Sequence, residues 1–101
     1  MIVVLEIAIT AVVPGVFTAD CRFVSPRDVS NRYQLTDKKA MINVGSVGQP
    51  RDNDPRACYV IVSDSTVEFR RVEYPFETTI AKIYDIPDLD NFLGDRLREG
   101  R

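Results

Sequence analysis

The sequence predicts an α+β fold, a small and mostly antiparallel sheet of about five strands followed by two C-terminal helices. Three observations carry that reading. Residues 57–62, Ala-Cys-Tyr-Val-Ile-Val, form an unbroken apolar run of strand length. Residues 67–72 then place Val67 and Phe69 on one face and Glu68 and Arg70 on the other, the two-residue period of a strand. From Phe76 the period becomes helical: Ile80, Ile83 and Tyr84 fall at i, i+3, i+4, and Leu89, Phe92, Leu93 and Leu97 at i, i+3, i+4, i+8.

Taken in order, the chain opens with M-I-V-V-L-E-I-A-I-T-A-V-V at 1–13. Branched Ile, Val and Thr side chains suit an extended strand. The run is too short for a membrane-spanning helix, and it lacks the basic start of a secretory signal and carries Glu6 at its centre. A buried strand and, by default, a cytoplasmic location are the expectation. Pro14-Gly15 marks a turn, residues 16–24 a short strand, and Ser25-Pro26-Arg27-Asp28 a loop or first helical turn. Residues 32–35 and 40–44 are short extended segments, and the polar connector 36–39 between them has hairpin length. Residues 45–55 contain Gly45, Gly48, Pro50, Asp52, Asn53, Asp54 and Pro55, a density of turn formers that no regular element tolerates. Val67 follows the turn at 63–65, and the alternation slips at Arg70-Arg71, which points to a bulge or a change of covered face. Ile86-Pro87 separates the two helices, with Asp88 and Asp90 in the first turn of the second and Arg96 and Arg98 in its last.

At 101 residues the chain has room for a single domain, and its 45% apolar and 28% charged content is that of an ordinary globular protein. The net charge of −2, with scattered basic residues, argues against a nucleic-acid partner, because phosphate neutralisation needs a concentrated basic face. The sequence contains no histidine. That removes Ser-His-Asp and Cys-His mechanisms and every zinc pattern that requires an imidazole. Cys21 and Cys58 form no CxxC pair and read as small buried hydrophobes in a reducing compartment.

The stretch I-N-V-G-S-V-G-Q-P-R-D-N-D-P-R-A-C-Y-V-I-V at 42–62 resembles the C-terminal signature of calcineurin-like metallophosphoesterases, N-P-G-S-V-G-Q-P-R-D-G-D-P-R-A-S-Y-A-[IL]. V-E-F-R-R-V-E-Y at 67–74 and T-T-I-A at 78–81 resemble that family's closing strand and first tail helix. The likeness runs from about Pro14 to the C-terminus, so residues 14–101 read as metallophosphoesterase C-terminal-like and 1–13 as an apolar strand foreign to the family. The resemblance implies a phosphoesterase that uses two divalent metals such as manganese, held by D-x-H, G-D-x-x-D, G-N-H-[DE] and G-H-x-H. Aligning G-H-x-H-V-P on Pro14 places its histidines at Thr10 and Val12, neither of which can act as an imidazole ligand. The chain is therefore expected to be a C-terminal fragment without the metal-binding half: not an enzyme alone, with no cofactor and no catalytic or metal residue. A frameshift ahead of Pro14 is the expected cause of the abrupt loss of likeness.

The remaining candidate site is the loop itself. Asn43, Gly45, Ser46, Gly48 and Arg51 could cradle a phosphate through backbone N–H groups with Arg51 as a clamp. The competing reading is structural: glycines for tight turns, and Arg51 paired with Asp52 or Asp54. Asp52, Asp54, Asp85, Asp88 and Asp90 fail the EF-hand pattern, since Pro55 follows Asp54, and suit turns and helix caps. The stripe from Ile80 to Leu97 reads as core. Because such a fragment exposes a strand edge and an apolar face, self-association is the expected partnership, with 1–13 as a seam. No membrane partner is expected. The alternatives to an inactive remnant are an oligomeric interaction module and a subunit that complements a separate metal-binding half.

Overall fold

The computed structural model describes residues 3–6, as backbone, and residues 13–101. Seven short strands among them divide between two sheets. β1 (Val3–Glu6), β2 (Gly15–Thr18), β3 (Phe23–Val24), β4 (Arg32–Gln34) and β5 (Ala40–Asn43) precede the long loop; β6 (Ala57–Val62) and β7 (Thr66–Val72) follow it. One sheet has the order β1-β5-β2-β3 and the other β4-β7-β6. All pairings are antiparallel except that of β1 with β5, whose register runs from Val3↔Ala40 to Glu6↔Asn43. The fold is thus α+β and mostly antiparallel, with the strands shared between two sheets. Within 1–13, residues 3–6 are strand; the rest of that segment, Thr10 and Val12 included, lies outside the described residues apart from Val13.

Several elements depart from the sequence reading, each for a local reason. Residues 16–24 are a hairpin, not one strand. The turn closes through Thr18 N–H to Arg22 O (2.9 Å) and Cys21 N–H to Thr18 O (3.0 Å), and it places Cys21 at φ 64°. Cys21 is in consequence exposed at a hairpin tip, whereas Cys58 is buried; both are free thiols. Residues 32–44 are not a hairpin either. β4 pairs with β7 and β5 with β2, so the connector 36–39 carries the chain from one sheet to the other. Leu35 anchors that crossing, being buried and donating its N–H to Ser65 O at 2.7 Å. β6 is covered on one face only, since Tyr59 and Ile61 remain exposed. The slip at Arg70-Arg71 is no bulge: β6 and β7 keep one register from Val62↔Val67 to Ala57↔Val72. Arg71 simply takes the inward position that follows Val67 and Phe69.

The two sheets share one core. Val16, Ala40 and Ile42 from the first meet Cys58, Val67 and Phe69 from the second, with Leu35 at the crossing. Ser25 and Asp28 form a capping box around the 3₁₀ turn Pro26–Val29, so the segment read as a loop or first turn is a short helix.

The helices α1 (Phe76–Tyr84) and α2 (Phe92–Glu99) pack on each other through Ile80, Gly94 and Leu97, all buried. Asp90 Oδ1 accepts the Phe92 N–H at 2.8 Å, the capping role expected for that carboxylate. Arg98 grips Glu77 across the pair at 2.6 and 2.7 Å. Tyr84, Leu89, Phe92 and Leu93 stay exposed, so the helical stripes are only partly core. No helix among the described residues is long and apolar enough to cross a membrane. The molecule is elongated, with extents of 51 × 21 × 19 Å and a radius of gyration of 15.5 Å. A compact domain of this length has about 13 Å.

Gly100, in the left-handed region at φ 66°, ends α2 and brings it against the long loop, where its carbonyl accepts the Asn53 N–H at 2.9 Å. A Cβ there would lie 2.5–2.7 Å from the Asp54 backbone. Gly100→Ala is expected to weaken this docking by about 1–2 kcal/mol and so to accelerate amide exchange at Asn53 about tenfold. Hydrogen-exchange NMR measures it; unchanged exchange contradicts the docking role.

Candidate functional site

The loop from Asn43 to Arg56 leaves the first sheet at β5 and enters the second at β6, and its polar groups are engaged with one another. Asn43 Oδ1 accepts the Gly45 N–H at 3.0 Å, an Asx turn. Gly45 needs φ 82°, and a Cβ on it would stand 2.8 Å from both Cβ and Sγ of Cys58. Ser46 contributes twice: its carbonyl accepts the Cys58 N–H at 2.8 Å and its Oγ the Gln49 N–H at 2.9 Å. Gly48, by contrast, faces open space. Arg51 pairs with neither Asp52 nor Asp54; its Nη2 donates to Gln49 Oε1 at 3.3 Å.

The two aspartates serve other arginines. Asp54 holds Arg56 in a bidentate pair, with Nε to Oδ1 at 3.0 Å and Nη2 to Oδ2 at 2.8 Å, and also accepts the Arg56 N–H. Arg71 makes the short paired contact to Asp52, approaches Asp54 at 3.8 Å, and donates to the Arg56 carbonyl at 3.2 Å. Arg71 stands opposite Cys58 in the β6–β7 register, beside the buried end of β6. The hydrogen bonds donated by the Arg56 side chain hold the Asp54 carboxyl at about 2, far below its ordinary value. Burial pushes the Cys58 thiol up, as expected of an inert core cysteine.

The network borders an open cleft of about 1000 Å³. Pro14, Arg27, Asn31, Asp52, Arg56 and Arg71 are among the residues lining it. Arg71 and Asp52 were legible in the sequence only as a slipped alternation and a turn former, and nothing in the sequence brings them together. Of the loop residues singled out for phosphate, Asn43, Gly45, Ser46 and Arg51 carry internal hydrogen bonds of the loop, while Gly48 does not. The carboxylates at 85, 88 and 90 lie between the helices, outside this cleft.

No protein-family model matches the chain. It is similar to an uncharacterised protein of Methanocaldococcus jannaschii, 46% identical over 71 residues that cover 68% of this chain and 29% of that protein. It is also similar to the crystal structure of a metallophosphoesterase from Sphaerobacter thermophilus, with 32% identity and a TM-score of 0.74 over 98% of this chain and 42% of that one. The fold is therefore metallophosphoesterase-like, and the chain spans less than half of either relative.

A two-metal centre of the kind such a fold implies does not fit the described residues. They contain no cluster of three or more His, Cys, Asp or Glu side chains placed to hold an ion. Asp52, Asp54 and Glu68, the carboxylates on the cleft, already face guanidinium partners.

Two outcomes follow from this geometry. Gly45→Ala combines left-handed strain with intrusion on Cys58 and is expected to cost about 2–4 kcal/mol, whereas Gly48→Ala should be nearly neutral; urea unfolding measures both. Asp54, with its folded value depressed to about 2, stabilises the protein above the ordinary carboxylate range, and that contribution disappears as pH falls from about 4 toward 2. After solvent screening it amounts to about 1–2 kcal/mol. Asp54→Asn should be less stable near pH 7 by that amount and should lose less stability between pH 4 and 3 than the native chain; parallel pH profiles contradict the assignment.

Proposed function

We propose that this segment is the C-terminal scaffold of a metallophosphoesterase-type fold and does not hydrolyse phosphoesters by itself. One observation carries the reading: the family-like loop at 43–56 is engaged in joining two sheets, through Gly45, Ser46, Asp52 and Asp54, rather than in presenting ligands to a cleft. The complete absence of histidine from the sequence supports it, because the motifs of the family take imidazole ligands. In this reading the loop sets the angle between the sheets, and the residues that bind metal come from outside these 101. The phosphate-cradle role for Asn43, Gly45, Ser46, Gly48 and Arg51 is correspondingly the weaker one, resting on the open face at Gly48.

A second reading, an assembly role, is favoured by a separate observation. Met41, Phe17 and Phe23 stand directly opposite one another across β5, β2 and β3 and are each 40–45% exposed, which gives the outer face of that sheet an apolar row. Phe17 and Phe23 meet in a tilted contact with 5.0 Å between centroids. Rows of this kind mark contact surfaces. They fit association with further copies or with a metal-binding half supplied in trans.

Purified chain with added manganese(II) is expected to show no turnover of a phosphodiester such as bis-p-nitrophenyl phosphate. It is also expected to bind no stoichiometric metal by atomic emission after dialysis. Turnover that saturates with substrate and scales with protein concentration overturns the scaffold reading. Activity that appears only when the metal-bearing half of a homologous phosphoesterase is mixed in supports complementation.

A further inference from the structure

β6 is the outermost strand of its sheet among the described residues. Its sequence, Ala-Cys-Tyr-Val-Ile-Val, contains no charge, no proline and no glycine. Protein edges ordinarily carry such residues to prevent pairing with another chain. The charged residues of this sheet lie one and two strands inward, where Glu68 of β7 pairs with Arg70 at 2.9 Å and with Arg32 of β4 at 3.5 Å. Tyr59, Ile61 and Val62 are meanwhile exposed.

The hydrogen bonds define how much of this edge is open. Cys58 donates its N–H outward to Ser46 O, away from β7. By the alternation of an antiparallel ladder, the N–H and C=O of Val60 and Val62 point to that same outer side. The open edge is therefore bounded by Ser46 at Cys58 and by the end of the strand after Val62.

We infer that β6 pairs antiparallel with β6 of a second copy of the chain, about a two-fold axis at Ile61. The length of the open edge selects this register. With Ile61 opposite Ile61 of the second copy, Val60 faces Val62 twice and all four outward-pointing residues are satisfied. Tyr59 then faces Ser63, where the incoming strand has ended, one residue short of the position that Ser46 occupies. An axis at Val60 would instead place Val62 of the second copy on Cys58 and displace Ser46. The product is one continuous sheet, β4-β7-β6-β6-β7-β4, closed at two copies because, among the described residues, the other edge of this sheet is the short β4, which carries Arg32. This seam is separate from the Phe17–Phe23–Met41 row, which lies on the other sheet. It is read out by mass and crosslinking, so its failure leaves the non-catalytic reading untouched, and phosphoesterase turnover leaves it untouched in return.

Sedimentation equilibrium of the full chain, in a Cys21→Ser background that removes the exposed thiol, is expected to give a reversible monomer–dimer equilibrium with no larger species. Ile61→Lys, which sets like charges directly opposite each other, should weaken the dimer at least about tenfold with an unchanged circular dichroism spectrum. Ile61→Cys should form an intermolecular disulfide on mild oxidation, since residues at a non-hydrogen-bonded antiparallel position have Cα atoms about 4.5 Å apart. Tyr59→Cys should not, because the two copies of residue 59 are about 13 Å apart in this register. A chain that stays monomeric, a dimer indifferent to Ile61→Lys, equal crosslinking at 59 and 61, or dissociation by Phe17→Asp alone each overturns the inference.

Discussion

The architecture depends on one close approach. Where the chain leaves the first sheet, the bare α-carbon of Gly45 lies against the side chain of Cys58, and Ser46 accepts the Cys58 N–H. This contact and the crossing at Leu35 together bring the two small sheets onto one core. Ile42 and Val16 reach Val67 and Phe69 because the backbones can come together there, and neither sheet has enough apolar area to stand alone. Asn43 sets the turn that leads into it, and the left-handed φ of Gly45 completes it. Arg71, Asp52 and Asp54 then close the rim.

That dependence is why a loop rich in glycine and arginine, which as sequence suggests a phosphate cradle, is proposed to act as a joint. Backbone N–H groups at Gly45 and Gln49 are taken by Asn43 and Ser46, and Asp52 and Asp54 meet guanidinium groups at the cleft. The two carboxylates are thus neutralised within the chain, while Arg51 meets, among the described residues, only the Gln49 amide.

Much of this was legible in the sequence because local chemistry decides it. The period change at Phe76, the apolar run of β6 and the turn formers at 45–55 gave the α+β class and the order of its elements, and the 42–62 signature gave the family likeness of the fold. What escaped was non-local. Residues 32–44 look like a hairpin because the spacing fits one, yet Leu35 sinks into the core and sends β4 and β5 to different sheets. Arg71 looks like a break in alternation because an arginine facing inward is unexpected until Asp52 is known to meet it, across nineteen residues of chain. The exposure of β6 was hidden for a similar reason: a continuous apolar run predicts cover on both faces, and only the topology places that strand at an edge.

The claim that residues 43–56 form a joint and not a ligand site is tested most directly by amide NMR of the labelled chain. The titrants are manganese(II), whose unpaired electrons broaden nearby resonances, and inorganic phosphate. The account predicts that the amides of Gly45, Gln49, Arg56 and Cys58 keep their positions and intensities at stoichiometric additions. Selective broadening or saturable shifts of that set, at concentrations where the helices are unaffected, would contradict it.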